Sequence, residues 1–221
     1  MADRPILFRS EMVRALLDGR KTQTRRPAWR DSSLDNGMPV RVPSAANRIE
    51  AGDRLWVREA WRTESRAYDD LPPSDMDADY PVIYEADADW SKNLSVGRLR
   101  QSMHLPRWAS RVTLTVRAVR MERLQEITEA DAAAEGMFHF APMKEWDNKS
   151  LGWTYKNGAP ATHLCDTARD AYGLLYCLIH GEGAWDANPE VVVVTFAVHK
   201  ANIDALSPDP APSSTEKGQA G

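Results

Sequence analysis

Apolar and polar positions along this chain repeat with both helical and strand periods, and their order outlines a fold. Residues 5–8 form a short apolar run that suits an edge or first strand. Met12, Val13, Leu16 and Leu17 then recur at helical spacing. Ser10 is the candidate N-cap, Glu11 falls in the first turn, and Gly19 takes the place just past the helix end. Residues 21–26 therefore emerge directly from a helix, and Thr22 and Thr24 suit an extended strand. Residues 27–50 read as loop, with Pro27, Pro39, Pro43 and Asn36-Gly37. After the turn at Ala51-Gly52-Asp53, residues 54–61 alternate in strand fashion, with Leu55, Val57 and Ala60 set against Trp56 and Arg58. Residues 62–81 are irregular and acidic, and 82–85 suit a short strand.

The clearest strand is 111–124, its apolar side carried by Val112, Leu114, Val116, Ala118, Val119 and Met121, with a bulge expected near Ala118-Val119. Thr128, followed three residues on by Asp131, opens a helix of about two turns that Gly136 ends. Residues 138–163 read as a loop-rich insertion. Residues 164–180 form a helix with Ala168, Ala171, Tyr172, Leu175 and Leu178 near one stripe, released by Gly181 and Gly183. Residues 191–198 are an unbroken apolar run of the kind found in buried strands. This order predicts a mixed α+β fold, a small β-barrel with helices at its rim. We expect a single domain over 1–203, insertions at about 62–100 and 138–163, and a disordered tail over 204–221, where Ser, Pro, Gly, Lys and Glu offer no core.

Composition narrows the function. A net charge of −4 argues against a wide basic surface for duplex DNA but allows a local basic pocket. No stretch reaches the apolar length of a membrane span, and the first residues do not read as a signal peptide, so no membrane partner is expected. Cys165 and Cys177 share one helical segment, which fits a reduced cytoplasmic protein. The oligomeric state is not legible. Eight tryptophans are unusual; each suits a core-sealing role, and one or two would suffice to stack on a nucleobase.

Positive charge is densest between Arg20 and Arg30, where five basic residues occur and no acidic one. Lys21 beside Thr24 fits three roles: an amine base serving a hydroxyl nucleophile, a phosphate grip, or a polar strand edge. Residues three apart on an ideal strand point to opposite faces, so the pair can cooperate only if Lys21 still lies in the turn after the helix. Gly19-Arg20-Lys21-Thr22 lacks the first glycine of a phosphate-binding loop and follows a helix instead of preceding one. The five histidines are scattered and neither cysteine has a CxxC partner, so nothing points to a metal.

The segment Leu16-Leu17-Asp18-Gly19-Arg20-Lys21-Thr22-Gln23-Thr24-Arg25 resembles the ASCH domain, a PUA-like β-barrel. The Gly52-Asp53-x-Leu55 turn, the 124–128 segment with its short helix and the 191–198 strand agree with it. Arg58-Glu59-Ala60-Trp61, Leu105-Pro106-Arg107-Trp108 and Trp185-Asp186-Ala187-Asn188-Pro189 look like its long phage and prophage form. The resemblance implies RNA association. It also implies, through one bacterial branch, hydrolysis of the amide of N4-acetylcytidine by a lysine, a threonine and a glutamate. These match Lys21, Thr24 and Glu135 as catalytic residues, with no cofactor and no metal. Arg25, Arg26, Trp56, Arg58 and Trp108 are the candidates for substrate binding. That branch is shorter, so the two insertions depart from it. The implied function is removal of the acyl group from N4-acylated cytosine nucleosides, in the cytoplasm of a bacterium or a phage-infected host. The alternatives are a non-catalytic module binding RNA or modified nucleotides and, with less support, a ribonuclease.

Overall fold

The computed structural model describes residues 1–34, 37–87, 96–140, 152–155 and 164–206. The chain opens with β1 (Asp3–Leu7), α1 (Ser10–Leu17), β2 (Gln23–Pro27), β3 (Trp29–Ser33) and β4 (Pro39–Pro43). β5 (Arg54–Arg58), β6 (Trp61–Thr63), β7 (Val82–Tyr84) and β8 (Thr113–Arg123) follow. The last third holds α2 (Glu129–Ala134), β9 (Phe138–Phe140), β10 (Gly152–Thr154), α3 (Ala168–His180) and β11 (Glu190–His199). The fold is mixed α+β, as expected. Among the described residues no helix is long and apolar enough to cross a membrane.

One five-stranded sheet carries the structure, in the order β1-β5-β8-β11-β2. β1 lies parallel to β5, and the remaining pairs are antiparallel. β11 sits between β8 and β2, so both its edges are paired and Val191 to Val194 are all buried, which is why that segment reads as continuously apolar. The β8–β11 register shifts at Thr195/Phe196, opposite Arg117, next to the predicted bulge. Beyond the bulge Ala118 is exposed, and Met121 is 53% exposed. Of the predicted apolar side of β8, Val119 still packs against the core beyond the bulge, while Ala118 and Met121 fall outside it because the extra residue shifts the strand's faces. The ladder runs from β1 to β2 without closing: among the described residues these two edge strands do not pair.

α1 buries Met12, Val13, Ala15 and Leu16 against the core. Its cap position belongs to Arg9, whose carbonyl accepts from the Met12 and Val13 N–H groups. Ser10 is thus the first helical residue, and its predicted N-cap role is a correction. Gly19 takes a φ of +74°, the left-handed conformation that ends a helix. α2 begins at a Thr128/Asp131 capping box, as predicted. On α3, Ala168, Ala171, Tyr172 and Leu175 are buried, but Leu178 is 50% exposed and falls off the stripe.

Two segments read as loops contain hairpins. β3 pairs with β4 through the turn at Gly37, and β9 pairs with β10. Prolines at the ends of β4 masked it in the sequence, since proline is tolerated only where a ladder donor is not needed. The insertion at 62–100 supports a second small core in which Trp61, Met76, Leu105 and Ala109 are buried, with Trp108 packed against them. Residues 204–206 dock on the body: Asp204 pairs with Arg107, and the Leu206 carbonyl accepts from Arg54. The rest of the predicted tail, the centre of the second insertion and Trp90 and Trp146 lie outside the described residues.

Candidate functional site

The turn leaving α1 fixes the site. The Arg20 and Lys21 N–H groups both donate to the Ala15 carbonyl, so Lys21 is still inside the helix-closing turn and β2 begins only at Gln23. Three successive residues then capture the end of α2. The Thr22 N–H donates to the Ala134 carbonyl, Lys21 Nζ to the Glu135 carbonyl and Arg20 Nη1 to the Gly136 carbonyl, each at 2.9 Å. Carbonyls at a helix C-terminus have no partner within the helix, and here the Arg-Lys-Thr segment supplies them.

This docking buries a charge cluster. Lys21 Nζ lies 2.6 Å from Glu135 Oε2, and the two residues are 1% and 2% exposed. Arg25 holds the other carboxylate oxygen at 3.3 Å and is itself gripped by Glu122 at 2.5 Å and Asp131 at 3.2 Å. Burial pushes the Lys21 amine below its ordinary value; Glu135 offsets part of this, and Arg26 and Arg25 add to it. Burial also disfavours charge on Arg25, but Glu135 and Glu122 outweigh it, so its pKa is raised.

Gly136 makes the close approach feasible. Its φ is +104°, and a Cβ there would meet the Cβ of Ala15 at 2.9 Å and that of Lys21 at 3.4 Å. Gly136→Ala is therefore expected to cost about 1–3 kcal/mol in a denaturant melt, through backbone strain and displacement of the Lys21 stem.

Lys21, Thr24 and Glu135 all line one cavity of about 420 Å³ between the end of β1, β2 and α3. That volume lies within the range of roughly 300–1,000 Å³ typical of small-molecule sites. Thr24 is 3% exposed, and its hydroxyl has no hydrogen-bond partner among the described residues. Lys21 uses two of its three donors on Glu135, and no hydrogen bond joins it to Thr24 in this resting arrangement. The Phe196 N–H donates to the Thr22 carbonyl, so antiparallel alternation places the Thr24 N–H in the ladder with Val194 and aims the Arg25 N–H toward the open sheet edge. Of the two backbone groups near the nucleophile candidate, only that of Arg25 is left for a ligand.

Four aromatic or imidazole side chains missed by the sequence reading complete the wall: Phe8, Tyr172, Tyr176 and His180. The last three recur every fourth residue on α3, so their polar tips share one stripe of an otherwise apolar face; that spacing was the available signal. Burial raises the Tyr172 hydroxyl well above its ordinary value and the Tyr176 hydroxyl to about 12, so both remain protonated donors at neutral pH. The Tyr176 and His180 rings lie 4.3 Å apart. Burial, then Arg26 and Arg9, lowers the His180 pKa.

The remaining predicted binding residues divide. Arg26 lines the cavity and lies over the Phe8 ring, 4.9 Å from its centroid, donating to the Leu7 carbonyl at 2.6 Å. Arg25 forms part of the wall, and three carboxylates, Glu135 among them, occupy its guanidinium. Trp56, Arg58 and Trp108 do not line the cavity. Trp56 is 9% exposed in β5 with Arg58 stacked over it, Arg58 donates to the Leu105 carbonyl, and Trp108 seals the second core. The contacts of these three are packing contacts, and the structure does not bring them to the cavity that holds Lys21 and Thr24. Among the described residues no three His, Cys, Asp or Glu side chains converge as a metal site. No family model, curated protein or solved structure matches this chain.

Proposed function

We propose that this protein hydrolyses the amide of an N4-acylated cytosine nucleoside. The observation that carries the reading is the buried Lys21–Glu135 pair opening, with Thr24, into one nucleoside-sized cavity. A lysine with a lowered pKa beside an unbonded threonine hydroxyl suits acyl transfer through a covalent ester. Neutral Lys21 takes the Thr24 proton, and the hydroxyl oxygen attacks the acyl carbonyl. The Arg25 N–H and the Tyr172 hydroxyl are the donors available to the developing oxyanion. Glu135, recovering the proton through Lys21, protonates the exocyclic nitrogen as its bond to the acyl carbon breaks. Water then hydrolyses the Thr24 ester. Tyr176 and Phe8 offer ring faces for the base.

The fold reading is compatible. The strand order, the Arg26–Leu7 hydrogen bond across the gap between the two edge strands, and the helices packed on the sheet support a PUA-like barrel left open between β1 and β2. Purified protein incubated with N4-acetylcytidine is expected to release cytidine and acetate. Absence of release, together with tight salt-sensitive binding of RNA, would favour the non-catalytic binding module instead.

A further inference from the structure

A second cavity, of about 500 Å³, lies along the open edge between β1 and the start of β3. Four arginines line it, Arg4, Arg26, Arg30 and Arg48, and no acidic residue does. In a chain of net charge −4 this concentration is not an effect of composition. Asp53 compensates Arg4 at 2.9 Å. Arg30 and Arg48 are exposed and have no ion-pair or hydrogen-bond partner among the described residues. Pro5, Ile6 and Ile49 floor the groove, and a floor of low polarity strengthens the attraction of the guanidinium groups for an anion. Leu7 and Arg26 line both this groove and the Lys21 cavity, so the two are neighbours with the Arg26–Leu7 hydrogen bond between them. A group attached to a ligand in the Lys21 cavity on the Leu7–Arg26 side is directed toward the groove.

We propose that the groove is a phosphate subsite, and that the substrate is a phosphorylated N4-acylcytosine nucleotide, monoester or diester, in place of a free nucleoside. This rests on reading the Lys21 cavity as the acylcytosine site. Arginine forks match phosphate oxygens in pairs, and Arg30 and Arg48 are the two of the four with no partner among the described residues.

The test is calorimetric binding of cytidine, cytidine 5′-monophosphate and a short cytidine oligonucleotide to the full chain and to an Arg30→Ala/Arg48→Ala double variant. Turnover of N4-acetylcytidine and its 5′-monophosphate is measured beside it. The monophosphate is expected to bind at least about tenfold more tightly than cytidine, with affinity falling as salt rises, and the double variant to bring that ratio to about one. A further gain with the oligonucleotide assigns the groove to a diester, and no gain assigns it to a monoester. Equal binding of cytidine and its monophosphate, or a preference that survives in the double variant, overturns the subsite. Binding is read without chemistry, so a phosphate preference without acyl hydrolysis sinks the hydrolase and leaves the subsite standing. Hydrolysis without the preference does the reverse.

Discussion

Replacing Lys21 by methionine is expected to lower kcat/KM on an N4-acylcytosine substrate by roughly 10²–10⁴-fold, the span of a lost general base. The fold should survive, because Glu135 keeps its ion pair with Arg25 at 3.3 Å and methionine retains most of the buried stem. Lys21→Arg tests the same point from the other side: it preserves positive charge beside Glu135 but supplies no base, and should be equally inactive. The pH profile gives a readout that a structural role would not move. Wild-type kcat/KM should rise with pH as Lys21 loses its proton, through a midpoint below the ordinary amine value of 10.5. The residual activity of Lys21→Met should lack that rising limb. A full rate in either variant, in a folded protein, would remove Lys21 from the chemistry.

Glu135→Ala is expected to be the more damaging change to stability, by about 3–5 kcal/mol in a denaturant melt at neutral pH. Arg25 would retain Glu122 and Asp131, but Lys21 would lose its carboxylate while remaining buried against Arg25 and Arg26. The sign of the pH dependence follows from the lowered Lys21 pKa. Below the folded pKa the buried ammonium costs stability in full. Between that value and 10.5 the unfolded chain binds the proton more tightly than the folded one, so stability rises with pH and the cost is relieved. Removing Glu135 lowers the folded pKa further, so the variant's deficit should shrink on going to alkaline pH. A deficit that stays constant from neutral to alkaline pH would mean that the loss comes from packing and not from the stranded ammonium.

Sequence patterning revealed the parts of this fold governed by local rules. The Thr128/Asp131 capping box, the left-handed Gly19 and Gly136, and the buried 191–194 stretch of β11 were all readable, because a cap, a positive φ and a doubly paired strand each restrict residue type directly. Lys21 was legible for the same reason: two residues past Gly19 it had to leave the helix in a turn, which freed it from strand alternation with Thr24. What stayed hidden depends on tertiary contact. The β3–β4 hairpin buries little, and the prolines at both ends of β4 read as loop signals that hid the short alternation of Val40, Arg41 and Val42. Trp56 and Trp108 suggested stacking surfaces, yet composition cannot show which aromatic faces a cavity and which a core. Arg25 looked like a free cation because the three carboxylates that claim it lie from 97 to 110 residues away in sequence. Tyr172, Tyr176 and His180 were visible as a helical stripe, but only the placement of α3 across from β2 gives that stripe a ligand to meet.

The most direct test of Thr24 as nucleophile is intact-protein and peptide mass spectrometry on enzyme quenched in acid during turnover of an N4-acetylcytosine substrate. The predicted result is an acetyl ester on Thr24 that is absent from Lys21→Met and Thr24→Ala protein, both of which fail to turn over. Steady release of cytidine with no acetyl on Thr24, and undiminished in Thr24→Ala, would contradict it.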